Sequence, residues 1–433
     1  MMKPRTHVLR GTLKYSLLGA ALGTACTGSA LDDSDKFARL EQENQMLKKR
    51  LEAIESKLKP SAPSSPAAAA LAQPMSVGAL SKITLSGFVQ GSYFYDMSNP
   101  GTDPGAPATD TTPARSPRVN HSPGYLWNQS GNLSLNRFKV TLASPPVKRS
   151  GEEFSAAFRA SLMFGNDANF LNTVPGGYGN VREGFLELNA PIGTGLNVKV
   201  GQLISLLNYE SGDGGAANDN FSQGTQWWFT GSGPQTGVQL GYNLTEKVDV
   251  KVRLQNQIWG IGALDPDSDK MLLGSINYKP TADTWMSFLG FTGRQGASSH
   301  IYGGSFLGGT QLTTDFHIGT ELDLWNYRAA ANDTQAYSTG VWLSYNITEK
   351  FKPALRIDYL SDASGAFTGG TTAPFFPIGG GRDVTGITLT LNYSPLPNLK
   401  IQPEIRFDHS DVPNDFGSKN DRVIVGLGMT YAF

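Results

Sequence analysis

Residues 399–408 read LKIQPEIRFD, and apolar and polar side chains alternate along the whole stretch. One face of an extended strand would carry Leu399, Ile401, Pro403, Ile405 and Phe407, and the other face Lys400, Gln402, Glu404, Arg406 and Asp408. The same period of two runs through residues 154–164, 248–254 and 351–359. Alternating segments of about ten residues that are separated by turns are typical of a transmembrane β-barrel. A soluble β-sandwich also alternates, but the apolar faces here are unusually aromatic and uninterrupted.

The connections between the alternating segments predict the topology of the barrel. Short turns at 191–195, 243–247, 279–283, 346–350 and 394–398 alternate strictly with long connections at 98–131, 165–180, 208–233 and 361–382. In outer-membrane barrels the short turns face the periplasm and the long loops face outward. Four short turns follow a tyrosine, which is typical of an aromatic girdle at a membrane interface. Fifteen strands are evident, and because a closed bacterial barrel needs an even number, we place a sixteenth between residues 294 and 335.

Two further stretches indicate what kind of barrel this is. The chain ends VIVGLGMTYAF at 423–433, with apolar side chains at every second position and Phe433 at the carboxyl terminus. This ending is similar to the signal that the bacterial barrel-insertion machinery reads. The hairpin at 181–201, VREGFLELNAPIGTGLNVKVG, resembles the signature hairpin of the putative β-barrel porin-2 family, the OmpL-like outer-membrane porins. The resemblance covers 82–433 and implies a passive porin in the outer membrane of a Gram-negative-type cell, without catalytic residues.

The first 81 residues are organised differently from the barrel. Residues 1–30 combine a basic leader, a short apolar run and small residues before Leu31, which predicts a secretory signal peptide. Cys26 resembles the cysteine of a lipoprotein box, but the leucine before it lies one place too far away, and cleavage after Ala30 is favoured. Residues 60–81 form a linker rich in proline, alanine and serine.

Residues 31–59 carry an unbroken heptad seam that predicts a periplasmic coiled coil. The oligomerisation positions are Leu40, Asn44, Leu47, Leu51, Ile54 and Leu58. Three heptads form only a marginal helix alone, so the segment is expected to hold three chains together, with Asn44 fixing the register. The alternative is an amphipathic helix that lies on the protein's own surface.

Composition and motifs restrict the classes of function. The net charge of −1 excludes nonspecific nucleic-acid binding as the main role, and the single cysteine excludes a disulfide framework. The acidic run at 265–269 departs from a calcium loop at Lys270 and Ile276. No Ser/His or Asp/His spacing indicates catalysis. We therefore predict no enzyme activity, no cofactor and no metal.

Strand parity places a set of charged side chains on the lumen side. The predicted pore-lining residues are Arg137, Lys139, Arg159, Glu183, Glu187, Lys199, Lys251, Arg253, Arg356 and Arg406. Arg137, Lys139 and Arg159 have no acidic residue on their own strands, so we predict an unpaired basic track that attracts anions. Most of the others are interpreted as paired charges that stiffen the wall.

The connection at 208–233 is far longer than a hairpin needs, and we predict that it folds inward. Its small, polar first half would then narrow the channel as a constriction loop through Asp213, Asn218, Asp219 and Asn220. Its bulky half, QWWF at 226–229, would pack on the wall. The alternative places these aromatic residues in the outer girdle at the membrane interface.

Two functions remain open on the sequence. The first is a trimeric outer-membrane porin for small hydrophilic solutes, surrounded by outer-membrane lipid and with its N-terminal segment in the periplasm. The second is a structural anchor whose coiled coil binds a periplasmic partner. Sixteen strands enclose a water-filled lumen, and an anchor has no need of one.

Overall fold

The computed structural model describes residues 45, 46, 49, 82–97, 131, 133–168, 179–258, 268–294, 299–329, 333–365, 381–413, 415–416 and 419–433. The chain divides into two units, Met1–Met75 and Ser76–Phe433. In the first unit the described residues Gln45, Met46 and Lys49 are helical. The predicted signal peptide, the linker and the six oligomerisation positions of the heptad seam lie outside the described residues.

The described part of the second unit forms a closed antiparallel barrel of sixteen strands, as the sequence predicted. Each strand pairs with its neighbours along the chain, and the first pairs with the last. The strands are β1 Thr84–Asp96, β2 Leu133–Ala143, β3 Ser155–Phe164, β4 Val181–Ala190, β5 Leu196–Leu203, β6 Gln235–Asn243, β7 Val248–Gln255, β8 Met271–Tyr278, β9 Thr284–Arg294, β10 Ser299–Gln311, β11 Phe316–Ala329, β12 Asp333–Tyr345, β13 Phe351–Asp362, β14 Arg382–Leu396, β15 Leu399–Ser410 and β16 Asp421–Ala432.

The two faces of the barrel wall have opposite polarity. On β15 the polar residues Glu404, Arg406 and Asp408 are buried inside, whereas Ile405 and Phe407 are exposed on the outside. This is the reverse of a soluble β-sandwich, whose apolar faces meet in the core. An outer surface of exposed apolar side chains and an inner surface of polar ones match a barrel that has lipid outside and water inside.

No helix in the described part of the chain reaches the length and hydropathy that crossing a bilayer requires.

The connections follow the predicted arrangement except at three places, of which the first is the eleven-residue connection 144–154 on the short-turn side between β2 and β3. The region between 294 and 335, where we expected the sixteenth strand, contains two strands, β10 and β11. They are joined by a short turn at 312–315. The connections on the long-loop side of these strands are short as well, at 295–298 and 330–332. The expected strict alternation of short and long connections is therefore wrong here. With 13 and 14 residues, β10 and β11 are among the longer strands, so little chain is needed to connect the outer end of β10 to β9 and that of β11 to β12.

The carboxyl terminus takes part in closing the barrel. The backbone N–H of Gly87 donates to the carbonyl oxygen of Phe433 at 2.9 Å, and the N–H of Phe433 donates back to Gly87 at 2.9 Å. Thirteen residues of β1 therefore find partners on β2 and on the very end of the chain.

Candidate functional site

The longest fully described connection is folded into the barrel. This inner loop comprises residues 204–234 between β5 and β6 and contains a 3₁₀ turn, Gly214–Ala216, and a short helix α1, Thr225–Phe229. Helix α1 packs on β12, β13 and β14, and the 3₁₀ turn packs on β1 and β16. Phe229 is buried against Leu360, Val384 and Phe416, so the aromatic half lies inside the barrel and not in an outer girdle.

Carboxylates of the wall hold the backbone of the inner loop. Glu404 on β15 accepts the N–H of Phe221 at 2.7 Å and the N–H of Ser222 at 3.2 Å. On β13, Asp358 accepts the N–H of Thr225 at 2.7 Å. Loops carry many backbone donors that a strand ladder would otherwise satisfy, and a buried donor without a partner is costly. These acceptors allow an irregular segment to lie inside the barrel.

Two arginines that we expected to line the pore are covered by the inner loop. Arg356 donates to Glu210 at 2.8 Å and to the carbonyl of Ser222 at 2.5 Å, and it is 0 % exposed. Arg406 donates to the carbonyl of Gln223 at 2.7 Å and is 1 % exposed. Both face inward, as parity predicted, but the loop lies on top of them. They therefore bind the loop and are not open to the lumen.

Arg137 on β2 is covered in the same way. Its guanidinium donates to Gln90 at 3.2 Å and to Gln223 of the inner loop at 3.1 Å. It also approaches Gly214, where an added Cβ atom would collide with Arg137 Nη1. Gly214 has a φ of +57°, in the left-handed region that favours glycine. The backbone conformation therefore favours glycine at this position, and a side chain here would displace the Arg137 guanidinium.

The prediction of an unpaired basic track is wrong. Arg137 lies 3.2 Å from Asp167, Lys139 lies 2.6 Å from Asp213, and Arg159 lies 2.5 Å from Glu183. The acidic partners come from the connection after β3, from the inner loop and from the neighbouring strand β4. Each acid is distant in sequence or on another strand, so inspection of one strand at a time could not find it.

A cavity of about 540 Å³ remains between the inner loop and the wall formed by β2–β7. Among the described residues its lining contains seven basic side chains, which are Lys139, Arg149, Arg159, Arg182, Lys199, Lys251 and Arg253. Three acidic side chains, Glu183, Glu210 and Asp213, line the same cavity. Two more carboxylates lie beside it, since Glu187 is 3.7 Å from Lys199 and Asp249 is 3.7 Å from Lys251. Basic groups are in excess even when these two are included.

Six of the predicted pore-lining residues therefore border this cavity, and three further charged residues were missed. Arg182 is buried beside Glu183 because the pairing of β3 with β4 shifts between Ser161 and Leu162, which breaks the parity rule. Arg149 lies in the connection 144–154 and reaches the wall, 3.9 Å from Glu187. Glu210 belongs to the inner loop. All three side chains face the cavity because of irregular backbone outside the regular strand pairing, so the alternation of residues along a strand could not predict them.

The four residues predicted to narrow the channel have different surroundings. Asp213 borders the basic cavity and pairs with Lys139. Asp219 pairs with Lys352 on β13. Asn218 is bonded to the backbone of Ser211 at 2.8 and 2.9 Å, and the buried Asn220 donates to Thr390 at 2.8 Å. Asn218 thus stabilises the loop itself, and Asn220 attaches the loop to β14.

The other side of the inner loop meets a largely apolar part of the wall. Leu207 packs with Met271, Leu273, Leu289, Phe291, Ile301, Leu307 and Trp325 of β8–β11, together with Ile258. Tyr209 stacks on Trp342 with ring centroids 4.4 Å apart and on Trp285 at 6.0 Å. A Cβ atom on Gly319 would collide with the Tyr209 ring. Burial, and then the nearby carboxylates, raise the pKa of the Tyr209 phenol, which stays neutral in ordinary buffers.

A closed antiparallel barrel with an apolar outer surface, a polar inner wall and a loop folded into the lumen is the architecture of an outer-membrane porin. A profile of the family described as "Putative beta-barrel porin-2, OmpL-like" matches residues 82–433. The chain belongs to this family and is an outer-membrane porin channel. A comparison with curated protein sequences gave no match.

Solved structures share the fold at low sequence identity. OprB of Pseudomonas putida, at high pH, is 12% identical with a TM-score of 0.53 over 82% of this chain and 96% of that one. The outer membrane channel DcaP of Acinetobacter baumannii is 14% identical with a TM-score of 0.51, over 81% and 97%. An anion-selective porin from Comamonas acidovorans is 12% identical with a TM-score of 0.51, over 81% and 99%.

Proposed function

We propose that this porin is a passive diffusion channel for small hydrophilic solutes with a modest preference for anions. The observation that carries the proposal is the cavity beside β2–β7, where basic side chains outnumber acidic ones among the described residues. Fixed positive charge along a narrow passage raises the local concentration of anions and lowers that of cations. The preference is modest because Lys139 and Arg159 each have an acidic partner within 2.6 Å.

The cavity also favours conduction over the second function, a structural anchor. An anchor needs only a stable wall, and a lumen packed with apolar side chains would serve it best. Here the space of about 540 Å³ is lined largely by charged and polar side chains. A cavity lined by charged groups suits the passage of hydrated solutes. We assign no enzymatic step, cofactor or metal to this channel.

Reversal potentials in asymmetric potassium chloride, recorded from the full chain in planar bilayers, test the proposal. We expect the potential to have the sign of an anion-selective pore. The double variant Arg159→Gln/Lys199→Gln should move it toward zero, because both side chains border the cavity. Lys247→Gln, on an exposed short turn, is the matched control and should leave the potential unchanged. A cation preference would refute the assigned selectivity, and a silent bilayer with correctly folded protein would refute the channel.

We further propose that the mature chain begins at Leu31 and that three chains associate in the periplasm through the heptad seam of residues 31–59. The spacing of the seam and the amide of Asn44 support this arrangement, since a buried polar residue at one core position specifies the register. The barrel walls would supply most of the interface between chains. Light scattering on the detergent-solubilised full chain should give a trimeric mass, and a monomeric mass would refute the assembly.

A further inference from the structure

A second cavity adjoins the basic one, and its wall is different. It has a volume of about 300 Å³ and lies against the inward faces of β7–β10, near the short turns. Its apolar side is formed by Leu206, Trp285, Leu289 and Leu307. Its polar side carries two cations and one carboxylate besides neutral groups, and consists of Asp249, Lys251, Lys279, Ser275, Asn277 and Ser287. Both cavities are lined by Leu206, Asn208 and Lys251, which places them side by side. A solute leaving the basic cavity would therefore meet an apolar surface.

Part of this apolar surface is exposed and lies outside the buried cluster around Leu207. Trp285 on β9 is 36 % exposed, although its indole points to the inside of the barrel. The ring of Tyr209 lies nearly parallel to it, with an angle of 12° between the planes. A diffusion channel for hydrated ions gains nothing from an open aromatic surface, since its interior is usually polar. Such a surface suits a solute that has an apolar body of its own.

Lys251 is the cation at the junction of the two cavities. Among the described residues its carboxylate partner is Asp249 at 3.7 Å, on the same strand, and its side chain is 26 % exposed. Lys139, in contrast, is bound to Asp213 at 2.6 Å and is 8 % exposed. An ammonium group has three donors, and a single distant carboxylate uses few of them. Lys251 can therefore bind a carboxylate that arrives through the lumen.

We propose that the channel contains a binding subsite for organic anions that carry an aromatic or alkyl body, with simple aromatic monocarboxylates as the best-fitting class. The carboxylate would contact Lys251, and the ring would lie along Leu206 and Trp285. The inference rests on the proposed anion preference and goes further, because chloride would use only the basic side of this arrangement.

Inhibition of the chloride current by added carboxylates tests the subsite. Benzoate and acetate are compared at equal ionic strength on the full chain in planar bilayers. Benzoate should reduce the chloride conductance at a concentration about tenfold lower than acetate, which is the discrimination a partly enclosed apolar surface provides. Trp285→Ala should remove the difference between the two anions. Lys251→Gln should weaken the effect of both anions.

Two matched controls separate the subsite from general damage to the wall. Phe288→Ala changes an exposed outward-facing residue of the same strand, and Lys247→Gln removes a charge on an exposed turn. Both should retain the full preference for benzoate. Should Trp285→Ala fail to fold, Leu206→Ser on the inner loop alters the same surface without changing a strand.

The outcomes distinguish this subsite from the proposed function. Equal inhibition by benzoate and acetate in an anion-selective pore would overturn the subsite and leave the anion preference intact. A cation-selective reversal potential would overturn both. A preference for benzoate that survives both Trp285→Ala and Leu206→Ser would show that the aromatic ring binds elsewhere, and would also overturn the assignment.

Discussion

Removal of the Glu404 carboxylate should release the inner loop from the wall. This side chain, 4 % exposed, accepts the N–H of Phe221 at 2.7 Å, the N–H of Ser222 at 3.2 Å and the hydroxyls of Ser222 and Thr390 at 2.5 and 2.7 Å. Glu404→Ala leaves two backbone donors without an acceptor, at a cost of about 1–3 kcal/mol each. A loss of about 3 kcal/mol raises the detached population of the loop by roughly a hundredfold.

Single-channel recordings would reveal the detached state. We expect current noise and brief transitions in conductance that the unmodified channel lacks, together with faster proteolytic cleavage within residues 204–234. Glu404→Gln keeps one acceptor oxygen, and its effect should be about half as large in free energy. Asp249→Asn, a half-buried carboxylate away from these contacts, is the control. A quiet channel and an uncleaved loop in a folded Glu404→Ala barrel would refute the view that this carboxylate holds the loop.

Three further changes have defined outcomes. Gly214→Ala should lower the stability to urea by about 1–3 kcal/mol, because a left-handed φ disfavours a side chain there and the added Cβ atom would displace Arg137; an unchanged unfolding midpoint would contradict this. Deletion of 212–220 removes Asp213 and the 3₁₀ turn from the lumen and should raise single-channel conductance and the solute size limit in liposome swelling; unchanged values would place the constriction elsewhere. Deletion of 36–59 should weaken trimers in light scattering while heat-modifiable gel migration shows a folded barrel, and stable trimers would show that the heptads are dispensable.

The strands could be predicted from sequence because lipid on one side and water on the other impose a period of two directly. Parity on β7 and β15 correctly placed Arg253 and Arg406 on the inner face. It could not show that Arg406 lies beneath the inner loop, since the covering residue, Gln223, is 183 positions away. Arg182 faces inward because of a local shift in pairing with β3. The sequence thus defines the wall, and the contents of the lumen depend on contacts between distant residues.

Carboxylates illustrate the same limit. The sequence places Asp213 and Asp167 in long connections and not on strands, yet they pair with Lys139 and Arg137. A count of charges on each strand overstated the free positive charge because it left out every acid that the loops supply. Basic side chains still outnumber acidic ones in the cavity, but two of them, Arg149 and Arg182, were not indicated by the alternating pattern.

The pairing of β1 with β16 bears on how this protein can be made. Gln90 donates to Thr430 at 3.2 Å across 340 positions of the chain, and Gly87 bonds to Phe433. The pairing of β1 with β16 therefore cannot form until translation and export have delivered β16. A product that stops short of β16 keeps two unpaired sheet edges, whose N–H and C=O groups lipid cannot satisfy. Because the barrel closes between β1 and β16, a chain that lacks β16 cannot form a closed barrel in the membrane. We expect such a chain to remain accessible to proteases.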